Sequence, residues 1–199
     1  SYNELWMVVA RTINGQTKRY VEFMTGAFNS ENGLVSAHFV DSGLSGDGRV
    51  ATTLLLSDNT VGVGRSFTAG SASFVIGDIG RQVWAGNGRA VITGFTSSTQ
   101  ITCEIIVAFE ETSYGADEWG LASRTFGGLA HLEGETVSVL KDGAVHPNVV
   151  VTGGQVTLDS FALRAVIGLP YTSRLETLPI EPRQGETIQS KTKRVVKST

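Results

Sequence analysis

His131 and Glu133 are the residues whose types and spacing come nearest to acid–base chemistry. Two positions apart, they share one face if their segment is a strand, and there a carboxylate can orient an imidazole or raise its pKa. A mechanism needs more than that pair. No serine or cysteine stands in a recognisable nucleophile elbow, no second histidine lies near, and no paired carboxylate motif completes the set. His131 is therefore read as a hydrogen-bonded packing residue ahead of a turn at Gly134, and no enzymatic activity is expected. Metal ligation is excluded on similar grounds. His38, His131 and His146 are dispersed, and Ser45-Gly-Asp-Gly-Arg49 has too few carboxylates for a calcium loop. Neither a structural nor a catalytic metal is expected, and no cofactor. Gly62-Val-Gly-Arg65 and Gly86-Asn-Gly-Arg89 resemble phosphate cradles, but neither precedes a credible helix, so both are read as turns. Trp6, Trp84, Tyr114, Trp119 and Tyr171 could line a sugar-binding surface. Widely separated aromatics in strands more often serve a core or an interface.

The elements that would position these residues read as short antiparallel strands. Glycine is plentiful at 24 residues, proline is scarce at 4, and β-branched runs are punctuated by Gly, Asn and Asp. Leu5–Thr12, Asn14-Gly15 and Lys18–Met24 predict a hairpin, because Asn-Gly accepts the positive φ values that tight hairpin turns need. Thr136–Leu140 meets Asp142-Gly143 with Val145 resuming beyond, and Val149–Thr152 meets Gly153-Gly154 and Gln155–Leu158 in the same way. No segment of ten or more residues keeps a helical period with caps, so any helix is short. Between about Gly43 and Asp117 the chain is rich in Ser, Thr and Gly. Strands are predicted there at Val50–Leu56, Ser73–Ile76, Gln82–Trp84, Gly88–Thr93 and Gln100–Val107, and short strands joined by tight turns favour a small barrel. The single cysteine, Cys103, lies inside the last of these strands and reads as a small buried hydrophobe.

Composition fits a folded protein: 199 residues can bury a substantial core, and 41% of them are hydrophobic. No apolar run approaches the ~20 residues of a membrane helix, so no membrane span is expected. The first residue is not Met and Glu4–Val9 already reads as strand, which leads us to expect a piece of a longer chain. The net charge of −3 is unevenly spread. From Arg183 onward five basic residues face Glu186 alone, whereas the preceding chain is acidic. Five charges without interleaved aromatics make a weak nucleic-acid footprint.

Several strings, in order, carry a family resemblance: Glu4–Gly15 with Arg19–Glu22, Val40–Leu44, Trp119–Ala122, His131–Gly134, Gly168–Thr172 and Lys191–Val195. Together with the stretches Leu129–Leu140 and Gly168–Pro179, they resemble phage tail proteins of the nozzle and tail-hub type, the tail tubular protein B-like family. Asp78–Val83 and Gly88–Ser98 resemble the small β-barrel insert likened to the first catalytic cysteine half-domain of ubiquitin-activating enzymes, a likeness of fold alone. The resemblance implies an all-β architecture. Residues 1–42 and 122–199 would form one discontinuous, antiparallel, β-sandwich-like domain, and residues 43–121 an inserted small β-barrel.

The resemblance also implies a structural role in the virion tail, assembled in the bacterial host cytoplasm. The chain would form part of the genome-ejection conduit and attachment platform, as a homo-oligomeric ring, hexameric by expectation. Its partners would be other tail proteins and viral DNA in transit, bound without sequence specificity. The alternative is a receptor- or glycan-binding module of the same tail, with a host-surface glycan as ligand. Tyr and Arg are favoured anchors at interfaces. The expected subunit contact comprises Tyr171, Arg174 and Glu176 with Lys191, Lys193 and Arg194, set against an acidic neighbour.

Overall fold

The computed structural model describes residues 5–23 and 40–172. These residues form an all-β fold in which every strand pair is antiparallel. Strands β1 (Trp6–Ile13) and β2 (Gln16–Phe23) make a two-stranded hairpin. Its turn residues Asn14 and Gly15 stand at φ +48° and +71°, the geometry that matches strand twist in a two-residue loop. A four-stranded sheet follows the order β12-β11-β14-β3 and is built from β3 (Asp41–Asp47), β11 (Thr136–Lys141), β12 (Ala144–Val150) and β14 (Arg164–Leu169). The largest sheet has eight strands: β4 (Leu54–Leu56), β5 (Gly62–Ala69), β6 (Gln82–Ala85), β7 (Gly88–Ser97), β8 (Gln100–Val107), β9 (Ser113–Tyr114), β10 (Trp119–Phe126) and β13 (Val156–Ala162). Its order is β13-β10-β6-β7-β8-β5-β4-β9. Helical structure among the described residues is limited to two single 3₁₀ turns, Ile76–Asp78 and Ala130–Leu132.

Alternating burial along the strands produces two apolar cores. The first lies inside the curled eight-stranded sheet and centres on Leu54, Phe67, Ile92, Ile101, Ile105 and Trp119, all almost fully buried. The second joins Ile13 of the hairpin to Leu129, Leu132, Val137, Leu158 and Ile167. Strand β10 serves both, giving Trp119 and Leu121 to the first core and Phe126 to the second. Register shifts between β7 and β8 at three places bend the sheet, as extra residues in one strand of a pair do.

The expected closed barrel is not formed. The eight strands make an open sheet with β13 and β9 at its ends, and β13 is recruited from beyond the expected insert. The curl brings residues 49–50 against 117–120, but only through the bridge Arg49–Gly120 and single bonds from Val50 N to Trp119 O (3.0 Å) and Asp117 N to Val50 O (2.9 Å). Val50 is taken up by these contacts, Thr52 O accepts from Trp119 Nε1 and Thr53 O from Gly70 N, so only Leu54–Leu56 of the predicted Val50–Leu56 strand is ladder. Strand β3 crosses the expected boundary after residue 42 and pairs wholly with β14, and β10 runs across the one after residue 121.

Candidate functional site

The hairpin is where the chain departs most from an ordinary packed sheet. Pairs Trp6–Phe23, Val8–Val21, Ala10–Arg19 and Thr12–Thr17 share one face, and all eight of these residues are exposed. The opposite face, with Met7, Val9, Arg11, Ile13, Tyr20 and Glu22, turns toward the body. An isolated two-stranded hairpin is marginal in water, so this one depends on what fastens it. Ile13 enters the second core. Tyr20 donates its hydroxyl to His131 O at 3.2 Å, and their rings meet edge-on at 6.4 Å. The backbone N–H of Asn14 reaches Glu135 Oε1 at 2.6 Å.

The strongest tie is charged. Arg11 donates two hydrogen bonds to Glu22, each 2.7 Å, and a third to Asp41 Oδ2 at 3.2 Å, and Ser42 Oγ donates to Glu22 at 2.9 Å. A bidentate guanidinium–carboxylate pair is both stronger and more directional than a single contact. The hydrogen bonds from Arg11 hold the Glu22 carboxyl below the usual glutamate range, and those to Glu22 raise Arg11 above its ordinary value. Because folding depresses the Glu22 pKa, its contribution is complete above the unfolded value of about 4.3 and is lost as pH falls through the folded value. Hydrogen exchange should therefore show amide protection in β1 and β2 declining on acidification below about pH 4.3, ahead of the second core. Glu22→Gln should reproduce that loss at neutral pH, costing about 1–3 kcal/mol of hairpin docking. Unchanged protection in this variant would show that the ion pair does not fasten the hairpin.

Between hairpin and body lies a cleft of about 610 Å³, lined by Tyr20 and Phe23 on one side and by Val40, Ser42, His131 and Tyr171 on the other. Tyr171, expected as an interface residue, stands half exposed at this cleft. Arg174, Glu176, Lys191, Lys193 and Arg194 lie outside the described residues, as does His38. The Arg11–Glu22–Asp41 network is absent from the sequence reading. Once Asn14-Gly15 fixes the register, strand parity puts Arg11 and Glu22 on one face, and that signal was available; Asp41 arrives by tertiary folding alone.

The remaining chemical candidates are separated by the fold. His131 sits in the 3₁₀ turn Ala130–Leu132, not in a strand, so its spacing to Glu133 does not align their side chains. His131 Nε2 lies 3.0 Å from Ser42 O, while Glu133 accepts the N–H groups of Gly153 and Gly154 at 2.9 and 2.6 Å and thereby holds that turn. His146 is buried elsewhere, with Nδ1 2.7 Å from Pro147 O and Nε2 3.0 Å from Asp159 Oδ1. No group of three or more His, Cys, Asp or Glu residues that could hold a metal occurs among the described residues. Arg65 is engaged with Asp58 at 2.9 Å, and Arg89 lies over the Trp84 ring at 4.1 Å while donating to Gly86 O and Gly88 O. Both glycine-rich segments thus use their arginines internally. Cys103 is fully buried in β8, and burial pushes its thiol up to about 12. The aromatics do not form one surface. Trp119 is core and Tyr114 packs on Phe109, whereas Trp6 is exposed on the hairpin.

What the site offers is a shaped contact surface, with an apolar hairpin face on one side and an aromatic-lined cleft at its foot. A scan of known protein families finds no model that matches this chain, and a search of curated proteins finds no significant match.

Proposed function

We propose that this chain is a structural part of a bacteriophage tail, of the nozzle or tail-hub type, and acts by assembly. The observation that carries the reading is a convergence. Residues from four of the strings that bear the family resemblance, far apart in sequence, line the one cleft: Tyr20 and Glu22, Val40 to Gly43, His131, and Tyr171. A surface built from four distant segments serves recognition of another molecule, and its aromatic and apolar lining suits a protein partner. The Arg11–Glu22–Asp41 tie holds that surface in place. In this reading the copies form a ring that holds neighbouring tail proteins and passes DNA without binding its sequence, and the net negative body keeps the DNA backbone from adhering.

Immunogold labelling of purified phage particles with antibodies to this chain should mark the tail below the head, and a glycan array should show no binding by the same chain. Label confined to lysate and absent from particles would overturn the reading. Saturable glycan binding blocked by Tyr171→Ala would replace it with a receptor-binding module.

A further inference from the structure

The exposed face of the hairpin has a counterpart on the body. We infer that the β1–β2 face of one copy docks on the outer face of β5 and β8 of a second copy, head to tail. This inference goes beyond the tail reading and stands without it.

Val8 and Val21 face each other across the hairpin and are 69% and 70% exposed, with Phe23 continuing the patch beside Trp6 at a ring separation of 5.4 Å. Contiguous exposed apolar surface of this kind, rimmed by polar residues, marks an interaction site in a folded protein. The rim here is basic. Arg19 lies on the exposed face with no ion pair among the described residues, and Lys18 beside it is exposed, whereas Arg11 and Glu22 neutralise each other on the opposite face.

The second patch lies on the eight-stranded sheet. Gly62 pairs with Ile105 ahead of a register shift, so Val61 and Val63 flank Gly62 on β5's side as Glu104 and Ile106 flank Ile105 on β8, and Val107 ends β8. Val63 is 74% exposed, Val61 61%, and Ile106 and Val107 nearly half. Here the rim is acidic. Glu104 lies within the patch with no ion pair among the described residues, and Glu110 and Glu111 follow Val107 closely. Residues 40–172 as a whole hold thirteen acidic residues against seven basic.

Two apolar patches with rims of opposite sign fit each other better than either fits itself. Hairpin on hairpin would oppose Arg19 to Arg19, and β5–β8 on itself would oppose Glu104 to Glu104, both like-charge contacts that cost free energy. The favoured contact is therefore heterologous, and a heterologous contact repeats into a ring or a filament. A stable interface needs about 800 Å² on each partner, so these valines form its apolar centre and the charged rims its border.

Disulfide trapping in the full chain tests the geometry. Mixing V21C with I106C under mild oxidation should give a cross-linked pair of the two variants, while neither alone should cross-link to itself. Cys103 is fully buried and stays silent. In sedimentation velocity, V8T/V21T should weaken self-association about tenfold or more with the strand content unchanged in circular dichroism, since threonine suits a strand. Arg19→Glu should weaken it as well, and adding Glu104→Arg should restore it. Self-cross-linking by V21C alone, a wild-type chain that stays monomeric to roughly 1 mM, or failure of the charge swap would each overturn the inference.

Discussion

Trp119→Ala is expected to destabilise the protein by about 3–5 kcal/mol, read as a fall in the urea midpoint at unchanged slope. Trp119 is fully buried, packs against Phe74 at a ring separation of 5.9 Å, and begins the strand that links the two cores. Its loss leaves a large void beside Phe74, and the close-packed surroundings collapse into it only in part. A second cost comes from Trp119 Nε1, which donates to Thr52 O at 2.6 Å. Trp119→Phe keeps most of the apolar volume but removes the donor to the part-buried Thr52 carbonyl, at about 1 kcal/mol. The two variants therefore separate packing from hydrogen bonding. A cost below about 1 kcal/mol for Trp119→Ala would show that β10 is not held by this core.

The second large effect is expected from one methyl group at Gly120. A Cβ there would lie 2.4 Å from Gly48 O, 2.6 Å from Leu163 Cδ1 and 2.8 Å from Arg49 Cα. Leu163 can yield, being a side chain. Gly48 O cannot, because it accepts the hydrogen bond from Leu121 N at 2.8 Å while Gly48 N donates to Leu163 O at 2.8 Å. Gly120→Ala must therefore push two backbones apart where they cross, and overpacking of this kind costs about 1–3 kcal/mol or more. Gly127, with nothing within 4 Å of its added Cβ, is the control: Gly127→Ala should leave the thermal midpoint within a few degrees of wild type. Equal midpoints for the two variants would contradict the close crossing.

Turn chemistry made the hairpins legible before any coordinates. Asn14-Gly15 and Asp142-Gly143 both take positive φ at both residues, and the strands they join pair as the alternation predicts. The strand Gln100–Val107 matches its prediction to the residue, since its buried apolar positions Ile101, Cys103 and Ile105 alternate with polar ones. What failed was non-local. Gly153-Gly154 forms the expected turn, but beyond the bridge Thr152–Gln155 the two strands part, β12 to β11 and β13 to β10. Nothing near the turn specifies that divergence; it is decided by the apolar faces each strand finds elsewhere. Strand β5 was concealed by Gly62-Val-Gly-Arg65, which has the composition of a turn yet pairs with β8 through a register shift. Conversely Ser73–Ile76 has strand composition, but Ser73 and Phe74 both donate to Ser98 O and the chain bends into a 3₁₀ turn stapled by Asp78 to Val75 N at 2.8 Å. At the candidate site the sequence supplied Tyr171, while the pocket around it needed tertiary folding to bring four segments together.

The crossing at Gly48 and Gly120 also sets how the molecule would carry tension. Residues 48–50 are hydrogen-bonded directly to residues 119–121, so the stretch between them, residues 51–118, starts and finishes at one place, like a coil of rope pinched at its neck. A pull on the flanking strands first loads the bonds from Leu121 N to Gly48 O and from Val50 N to Trp119 O, together with the β10–β6 ladder beside them, ahead of the rest of the curled sheet. Extension would remain small until that neck gave way, and its failure would then pay out roughly 250 Å of chain at ~3.5 Å per residue. The first core is thereby shielded from force along the chain, and the neck acts as a mechanical fuse.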